Sequence, residues 1–326
     1  MQHLDVQVAE QALTWLNEGE TIWFCTVLST FGSSPREPGS TMVAKADGKH
    51  LGSLSGGCVE DDFLERLQQG EFAQRVRQER YGEGDQSDRP QIQLPCGGLL
   101  DVLIEQLAPL PDNIQHMQQL LDTLKGQRQM IRSVSLSDGS LTLDHTDIQS
   151  GQRIKTIGDR ITIRVGPAQR LIIAGLSTVS RFCAEYAVSL GYDVIVCEPR
   201  EEEFQDFFCA GAKLEKTMPS SFIRREGNVH AQTAIVAMTH DPRIDDLAMI
   251  EAVKTPAFYI GVMGSRKTSD KRAERLMRSG GLNAEQIERI HMPIGLSLGS
   301  KTPAEIALAV MADVLRCMRG IERHDL

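Results

Sequence analysis

A chain of 326 residues, 41% apolar and 24% charged, has the composition of a soluble globular protein and the length for two domains. Its formal net charge of -9 argues against general electrostatic binding to nucleic acid, and no apolar run approaches the roughly 18 residues that a membrane-spanning helix needs. Seven scattered cysteines with no Cys-x-x-Cys pair predict reduced thiols in the cytoplasm and offer no zinc-ligand spacing.

Residues 4–16 place Leu4, Val8, Ala12, Trp15 and Leu16 on one stripe, an acidic amphipathic helix and not a secretory signal. Residues 21–28 are β-rich and predict a buried strand. In Phe31-Gly-Ser-Ser-Pro-Arg-Glu-Pro-Gly-Ser40, two prolines and two glycines forbid regular structure. Ser33, Ser34 and Arg36 fit either an anion-contacting loop or a solvated connection. Asp47-Gly48 predicts a hairpin between strands at 41–45 and 49–54.

The hairpin leads into Gly52-Ser-Leu-Ser-Gly-Gly-Cys-Val-Glu60, read as a strand, a glycine turn and a helix start. With Ser55 as N-cap, Cys58 would sit at the third helical position, where free N–H groups favour a thiolate. Glu60, Asp61 and Asp62 oppose that effect. On spacing alone, a packed structural cysteine is the simpler reading of Cys58. The helix runs to about Gln69 and stops at Gly70. Leu94-Pro-Cys-Gly-Gly98 places Cys96 beside paired glycines before a strand at 99–105, and Cys96 is expected to share a cleft with Cys58. A helix at 112–125, a hairpin around Asp138-Gly139 and a strand pair at 153–165 lead to Gly166-Pro167, the expected boundary between domains 1–166 and 167–326.

Beyond it, strands and helices alternate, which predicts a Rossmann-like parallel α/β sheet. Strands are expected at 170–175, 193–198, 233–238 and 257–260. Glu198 ends the second strand, where such folds hold a ribose, but Gly175-Leu-Ser-Thr-Val-Ser180 keeps only the first glycine of the phosphate loop. His240 and Asp241 follow a strand at the usual ligand edge, either to meet a polar ligand or, for Asp241, to cap a helix. Gly264, Ser265, Arg266 and Lys267 open a basic helix suited to phosphate or simply solvated. Thr302 to Glu305, with Pro303 between, reads as a capping box.

Several of these motifs together resemble the XdhC/CoxI family of molybdenum-enzyme accessory proteins. The resemblance rests on Gly32-Ser-Ser-Pro-Arg36, Pro38-Gly39, Gly52 to Glu60 and Cys96-Gly-Gly98 in the first half. In the second half it rests on Thr239-His-Asp241, Tyr259 to Arg266, Pro293-Ile-Gly295, Gly299 and Thr302 to Ile306. It implies a family-specific α+β N-terminal domain and a Rossmann-like C-terminal domain. It further implies a commonly dimeric protein that binds molybdenum cofactor as cargo, supports its sulfuration by a cysteine desulfurase, and delivers it to a xanthine dehydrogenase-type enzyme. The cofactor-binding residues it points to are Ser33, Ser34, Arg36, Ser55, Gly56, Gly57, Cys58, Glu60, Cys96, Gly97, His240, Asp241, Gly264, Ser265 and Arg266, with Cys58 near the molybdenum. No residue is assigned catalysis. The family's Gly-Ala-Gly loop is replaced here by Gly175-Leu-Ser177, which bears on the competing expectation of an NAD(P)-dependent oxidoreductase.

Overall fold

A computed structural model describes residues 4–31, 36–82, 98–126, 128–146, 152–204 and 207–322; at Cys58 only the backbone is described. The chain divides into two compact units, Leu4–Pro167 and Ala168–Leu326.

The first unit runs α1 (Leu4–Asn17), β1 (Ile22–Phe31), β2 (Thr41–Lys45), β3 (His50–Gly52), α2 (Cys58–Gln68), β4 (Val76–Gly82), β5 (Leu99–Leu107), α3 (Pro111–Lys125), then β6 (Met130–Ser135), β7 (Leu141–His145), β8 (Ile154–Ile157) and β9 (Arg160–Val165). Two antiparallel sheets result, ordered β3-β2-β1-β5-β4 and β7-β6-β9-β8. β1 is the middle strand of its sheet and is buried on both faces from Ile22 to Leu28, hence its unbroken apolar run. Trp23, Cys25 and Val27 alternate onto the face that packs with Val59, Phe63 and Leu67 of α2. Phe24 takes the other face, where its ring lies 5.5 Å from the Arg132 guanidinium. The sequence reading missed β4, an edge strand whose Arg77, Glu79 and Arg80 break up the apolar signal.

Arg132 is 1% exposed, and it donates to both Glu105 oxygens at 2.8 Å and through Nε to His116 Nε2 at 2.9 Å. Burial, and then the charge of Arg132, push His116 down to about 3, so the imidazole is neutral and accepts.

The second unit runs β10 (Arg170–Ala174), α4 (Thr178–Ser189), β11 (Asp193–Cys197), β12 (Ala212–Glu215), α5 (Pro219–Ile223), β13 (Thr233–Ala237), α6 (Pro242–Ala252), β14 (Tyr259–Val262), α7 (Arg266–Gly280), α8 (Ala284–Glu288), β15 (Ile290–His291) and α9 (Pro303–Met318). All its strand pairs are parallel, in the order β12-β11-β10-β13-β14-β15. α4 and α9 cover one face, and α5 and α6 the other. The order reverses between β10 and β13, so the loops leaving these strands flank the switch point where ligands meet such sheets. Among the described residues, no helix is long and apolar enough to cross a membrane.

Removing one partner of the buried Arg132–Glu105 pair strands the other charge. Glu105→Gln should cost about 3–5 kcal/mol in urea unfolding, while Glu105→Leu with Arg132→Met should cost far less. Equal losses would assign the effect to packing.

Candidate functional site

In the first unit the site is built by the turn between β3 and α2. Glu60, in the first turn of α2, folds back over it. Its Oε1 accepts from Ser53 Oγ (2.6 Å) and from the amides of Leu54 (2.7 Å), Ser55 (3.0 Å) and Gly56 (3.0 Å). Its Oε2 accepts from Ser55 Oγ (2.6 Å) and the Gly57 amide (3.0 Å). Successive amides thus converge on one anion, which Gly56 permits by adopting φ 96°. This corrects two expectations. The N-cap is Gly57, not Ser55, so Cys58 is the first helical residue and not the third. The amides of the turn, expected to be free for a ligand anion, are bound to Glu60.

Burial raises the Glu60 pKa. The Ser53 and Ser55 hydroxyls and the backbone amides outweigh it and hold the carboxyl far below the usual range. Arg36 Nε donates to Ser53 O at 3.1 Å and so fastens the segment before β2 to this turn. Arg36, Ser55, Gly56, Gly57 and Glu60 are therefore assembled together. Ser33, Ser34, Cys96 and Gly97 lie outside the described residues, as does any approach of Cys96 to Cys58.

Sequence reasoning missed a small pocket of about 30 Å³, open to solvent, lined by Asp5, Phe24, Thr26, Gly39, Thr41, Arg132, Arg153 and apolar residues of α3 and β9. The Thr26 hydroxyl in its wall is buried and has no hydrogen-bond partner among the described residues. Thr26 and Thr41 sit opposite each other across β1 and β2, and Thr41 Oγ1 donates to Asp5 at 3.1 Å. The β-branched, strand-favouring character of Thr26 hid it inside an apolar run.

In the second unit the candidate residues sit in loops at the carboxyl ends of β13 and β14. His240 has φ 65°, the left-handed region, and is exposed. Its amide donates to Asp245 Oδ2 at 2.9 Å, and the amide and hydroxyl of Thr239 donate to Asp245 Oδ1 at 3.2 and 2.6 Å. Asp245 is wholly buried against Arg272, which also holds Asp246 at 3.0 Å and the Met263 carbonyl at 2.7 Å. The Asp245 carboxyl is raised by burial, against the pull of Thr239 and Arg272. This network fixes both loops, and no motif announced it, because Asp245 reads as an ordinary first-turn acid of α6. Asp241 is the N-cap of α6: it accepts from the Arg243 amide at 2.9 Å and pairs with the Arg243 guanidinium at 2.7 Å. Those contacts hold its carboxyl down at about 2. Ser265 caps α7 through the Thr268 amide at 3.2 Å, Gly264 is half-buried before it, and Arg266 is exposed as the first helical residue.

At the phosphate-loop position the chain's own groups bond one another. Glu198, expected at a ribose, is 0% exposed and accepts from the Leu176 amide (2.5 Å), the Arg200 amide (2.8 Å) and the Arg200 guanidinium (2.7 and 2.9 Å). Arg200 also donates to the Leu176 carbonyl at 2.8 Å, closing the knot. Ser177 and Ser180 cap α4 reciprocally, which occupies two of the amides that would face a pyrophosphate.

Residues 15–82 match a family model described as the XdhC and CoxI family, and residues 171–314 one described as the XdhC Rossmann domain. The molybdenum cofactor insertion chaperone PaoD of Escherichia coli (strain K12) is 27% identical, over 93% of this chain and 85% of its own. A probable xanthine dehydrogenase subunit of Bacillus subtilis (strain 168) is 26% identical, over 94% of this chain and 96% of its own. A solved structure described as a xanthine dehydrogenase from Bacillus halodurans shares the fold, with a TM-score of 0.73 at 23% identity over 100% of this chain and 98% of that one.

Glu60→Gln replaces an acceptor-only group by one that donates on one side, and should destabilise the first unit by about 2–3 kcal/mol in urea unfolding near neutral pH. Because the folded carboxyl titrates below the unfolded one, its contribution is complete above about pH 5 and is lost progressively as the pH falls further. The gap between parent and variant should narrow over that acid range; a gap independent of pH would mean that the charge contributes nothing.

Proposed function

The chain belongs to the XdhC and CoxI family, and from that premise we propose that it carries molybdenum cofactor as cargo and supports its sulfuration and its insertion into a xanthine dehydrogenase-type molybdoenzyme. The observation that carries this reading is the similarity to a molybdenum cofactor insertion chaperone over 93% of this chain. We place the protein in the cytoplasm as a homodimer, with a cysteine desulfurase as its sulfur-supplying partner. Its N-terminal domain is the family-specific one and its C-terminal domain the Rossmann-like one.

The cargo is a pterin dithiolene bearing a phosphate, so it calls for cations, hydrogen-bonding walls and a soft ligand near the metal. Arg36, with Ser33, Ser34 and Ser55 as further candidates, and independently Arg266, with Gly264 and Ser265, are our candidates for a phosphate contact in the first and the second unit, each taken by itself. The amides of the glycine turn are bound to Glu60, so in this reading Gly56, Gly57 and Glu60 shape the turn that presents Cys58, and cation side chains meet the anion. Cys58, at the first position of α2, is our candidate for the metal–sulfur end, and Cys96 and Gly97 are further candidates for cofactor contacts. His240 and Asp241 would meet polar edges of the pterin.

The competing reading, an NAD(P)-dependent oxidoreductase, is disfavoured by the burial and full engagement of Glu198. Titration with isolated molybdenum cofactor, NAD(H) and NADP(H) separates the two. Retention of cofactor with no dinucleotide binding is expected; tight dinucleotide binding with hydride transfer and no cofactor retention would reverse the assignment. Arg36→Ala and Arg266→Ala should each weaken cofactor binding by about 1.5–3 kcal/mol, and unchanged affinity in both would place the anion elsewhere. Cys58→Ser should stay folded but lower cofactor retention, or reactivation of a recipient hydroxylase. Parent-like delivery would make Cys58 a packing residue.

A further inference from the structure

The carboxyl-terminal half of α9 carries a cluster that the proposed cargo site does not use. The last turn of α9 lies toward the amino ends of the strands, since Tyr192, which precedes β11, donates to Met318 Sδ at 3.5 Å. The loops described above leave the opposite ends. Here Cys317 Sγ is 4.0 Å from His291 Nε2 and accepts from Arg316 Nη2 at 3.0 Å. His291 Nδ1 faces Asp313 Oδ2 at 3.5 Å, and the same oxygen accepts from the Tyr259 hydroxyl at 2.9 Å. Asp313 Oδ1 accepts from Arg316 Nε at 2.9 Å. The His291 ring stacks on Tyr259, with centroids 4.3 Å apart, which sets its plane.

We propose that Cys317, whose sulfur lies between His291 Nε2 and Arg316 Nη2, is a reactive thiol that takes up a low-molecular-weight disulfide by thiol–disulfide exchange. The sulfur of Cys317 attacks one sulfur of the disulfide, whose S–S bond breaks as the new one forms. The Cys317 thiol proton passes by way of His291 Nε2 to the departing sulfur, which leaves as a thiol. Cys317 is thereby oxidised to a mixed disulfide and the reagent reduced to one thiol, with no further reductant or oxidant.

Three features support this. Asp313 is fully buried and faces Nδ1 of the imidazole at 3.5 Å, leaving Nε2 toward the sulfur. Burial lowers the His291 pKa, but Asp313 and Cys317 outweigh it and raise it to about 9, so the ring carries its proton at neutral pH. The other cysteines with described side chains differ: Cys25, Cys183 and Cys197 are fully buried, and burial pushes Cys209 up. The charged and titratable groups facing the pair are Tyr259 from β14, His291 from β15, Asp313 and Arg316 from α9, and Glu322 beyond it.

His291, Asp313 and Cys317 also bring one donor atom each within 4.8 Å of one another, a spacing compatible with a metal. The Arg316 guanidinium, bonded to both the sulfur and the carboxylate, places a positive charge against any cation there and so disfavours a metal.

The test is site-resolved alkylation of the full chain, read by peptide mass spectrometry. Cys317 should label with iodoacetamide at least about tenfold faster than the half-buried Cys209, and its iodoacetate-to-iodoacetamide rate ratio should be higher, because two cations attract the anionic reagent. His291→Gln should lower both the rate and the ratio while the far-ultraviolet spectrum stays unchanged. Oxidised glutathione should form a mixed disulfide at Cys317 in the parent and more slowly in the variant. Equal labelling of Cys317 and Cys209, or an unchanged rate and ratio in His291→Gln, would overturn the proposal. So would zinc that is retained through dialysis and blocks labelling.

Discussion

One carboxylate determines what the glycine turn of the first unit can do. Glu60 gathers the hydroxyls of Ser53 and Ser55 and the four consecutive amides of residues 54–57, and the helix that it opens cannot start elsewhere without losing them. The amides at a helix start are the usual anion site of a protein. Here that site is filled from within, so the turn is rigid before any ligand arrives. The buried face of α2 depends on the same contact, because Val59, Phe63 and Leu67 reach the sheet only when the helix leaves the turn at this residue. Arg36 then reads the shape of the turn through the Ser53 carbonyl, which couples the two glycine-rich segments of the unit.

The second unit repeats the device with different residues. Glu198 binds the amide after Gly175, and Asp245 binds the amides of Thr239 and His240. In each case an acid fills the amide cradle of a loop at the ligand edge, and a guanidinium, Arg200 or Arg272, balances it. The loops leaving β10 and β13 are therefore electrically complete. Gly175 leaves them no slack, since a Cβ there would lie 2.2 Å from the Thr239 methyl. An anion arriving at this edge meets the exposed cation of Arg266, and few open backbone amides.

Much of the architecture was legible because it rests on periodicity and punctuation. Alternating strands and helices gave the parallel sheet, Asp47-Gly48 the hairpin, and Thr302 with Glu305 the start of α9. The site was less legible, for a physical reason: sequence shows which groups are polar, but not which polar groups spend themselves on one another. Ser55 looked like a cap and is instead a donor to Glu60, with Gly57 in the capping position. Glu198 looked like a ribose ligand and is sealed by Arg200, two residues on. Arg132, Asp245 and Asp313 gave no signal, because a buried charge announces itself only through partners distant in the chain, as Arg132 does with Glu105.

Self-satisfied loops also suit the proposed role of a carrier better than that of an enzyme holding a resident cofactor. A resident dinucleotide gains from amides preorganised around its pyrophosphate, which favours slow release. A carrier must hand its cargo on, so its grip should come from contacts that exchange readily with water. Guanidinium contacts at a protein surface have that character: they orient a phosphate bidentately, yet solvent and salt weaken them. The exposed Arg266 at the sheet edge is a group of this kind. The internal acids meanwhile keep the loops in shape whether or not cargo is present, so loading and release need not be accompanied by refolding of the edge. Rigidity is built into the backbone, and exchange is left to the side chains.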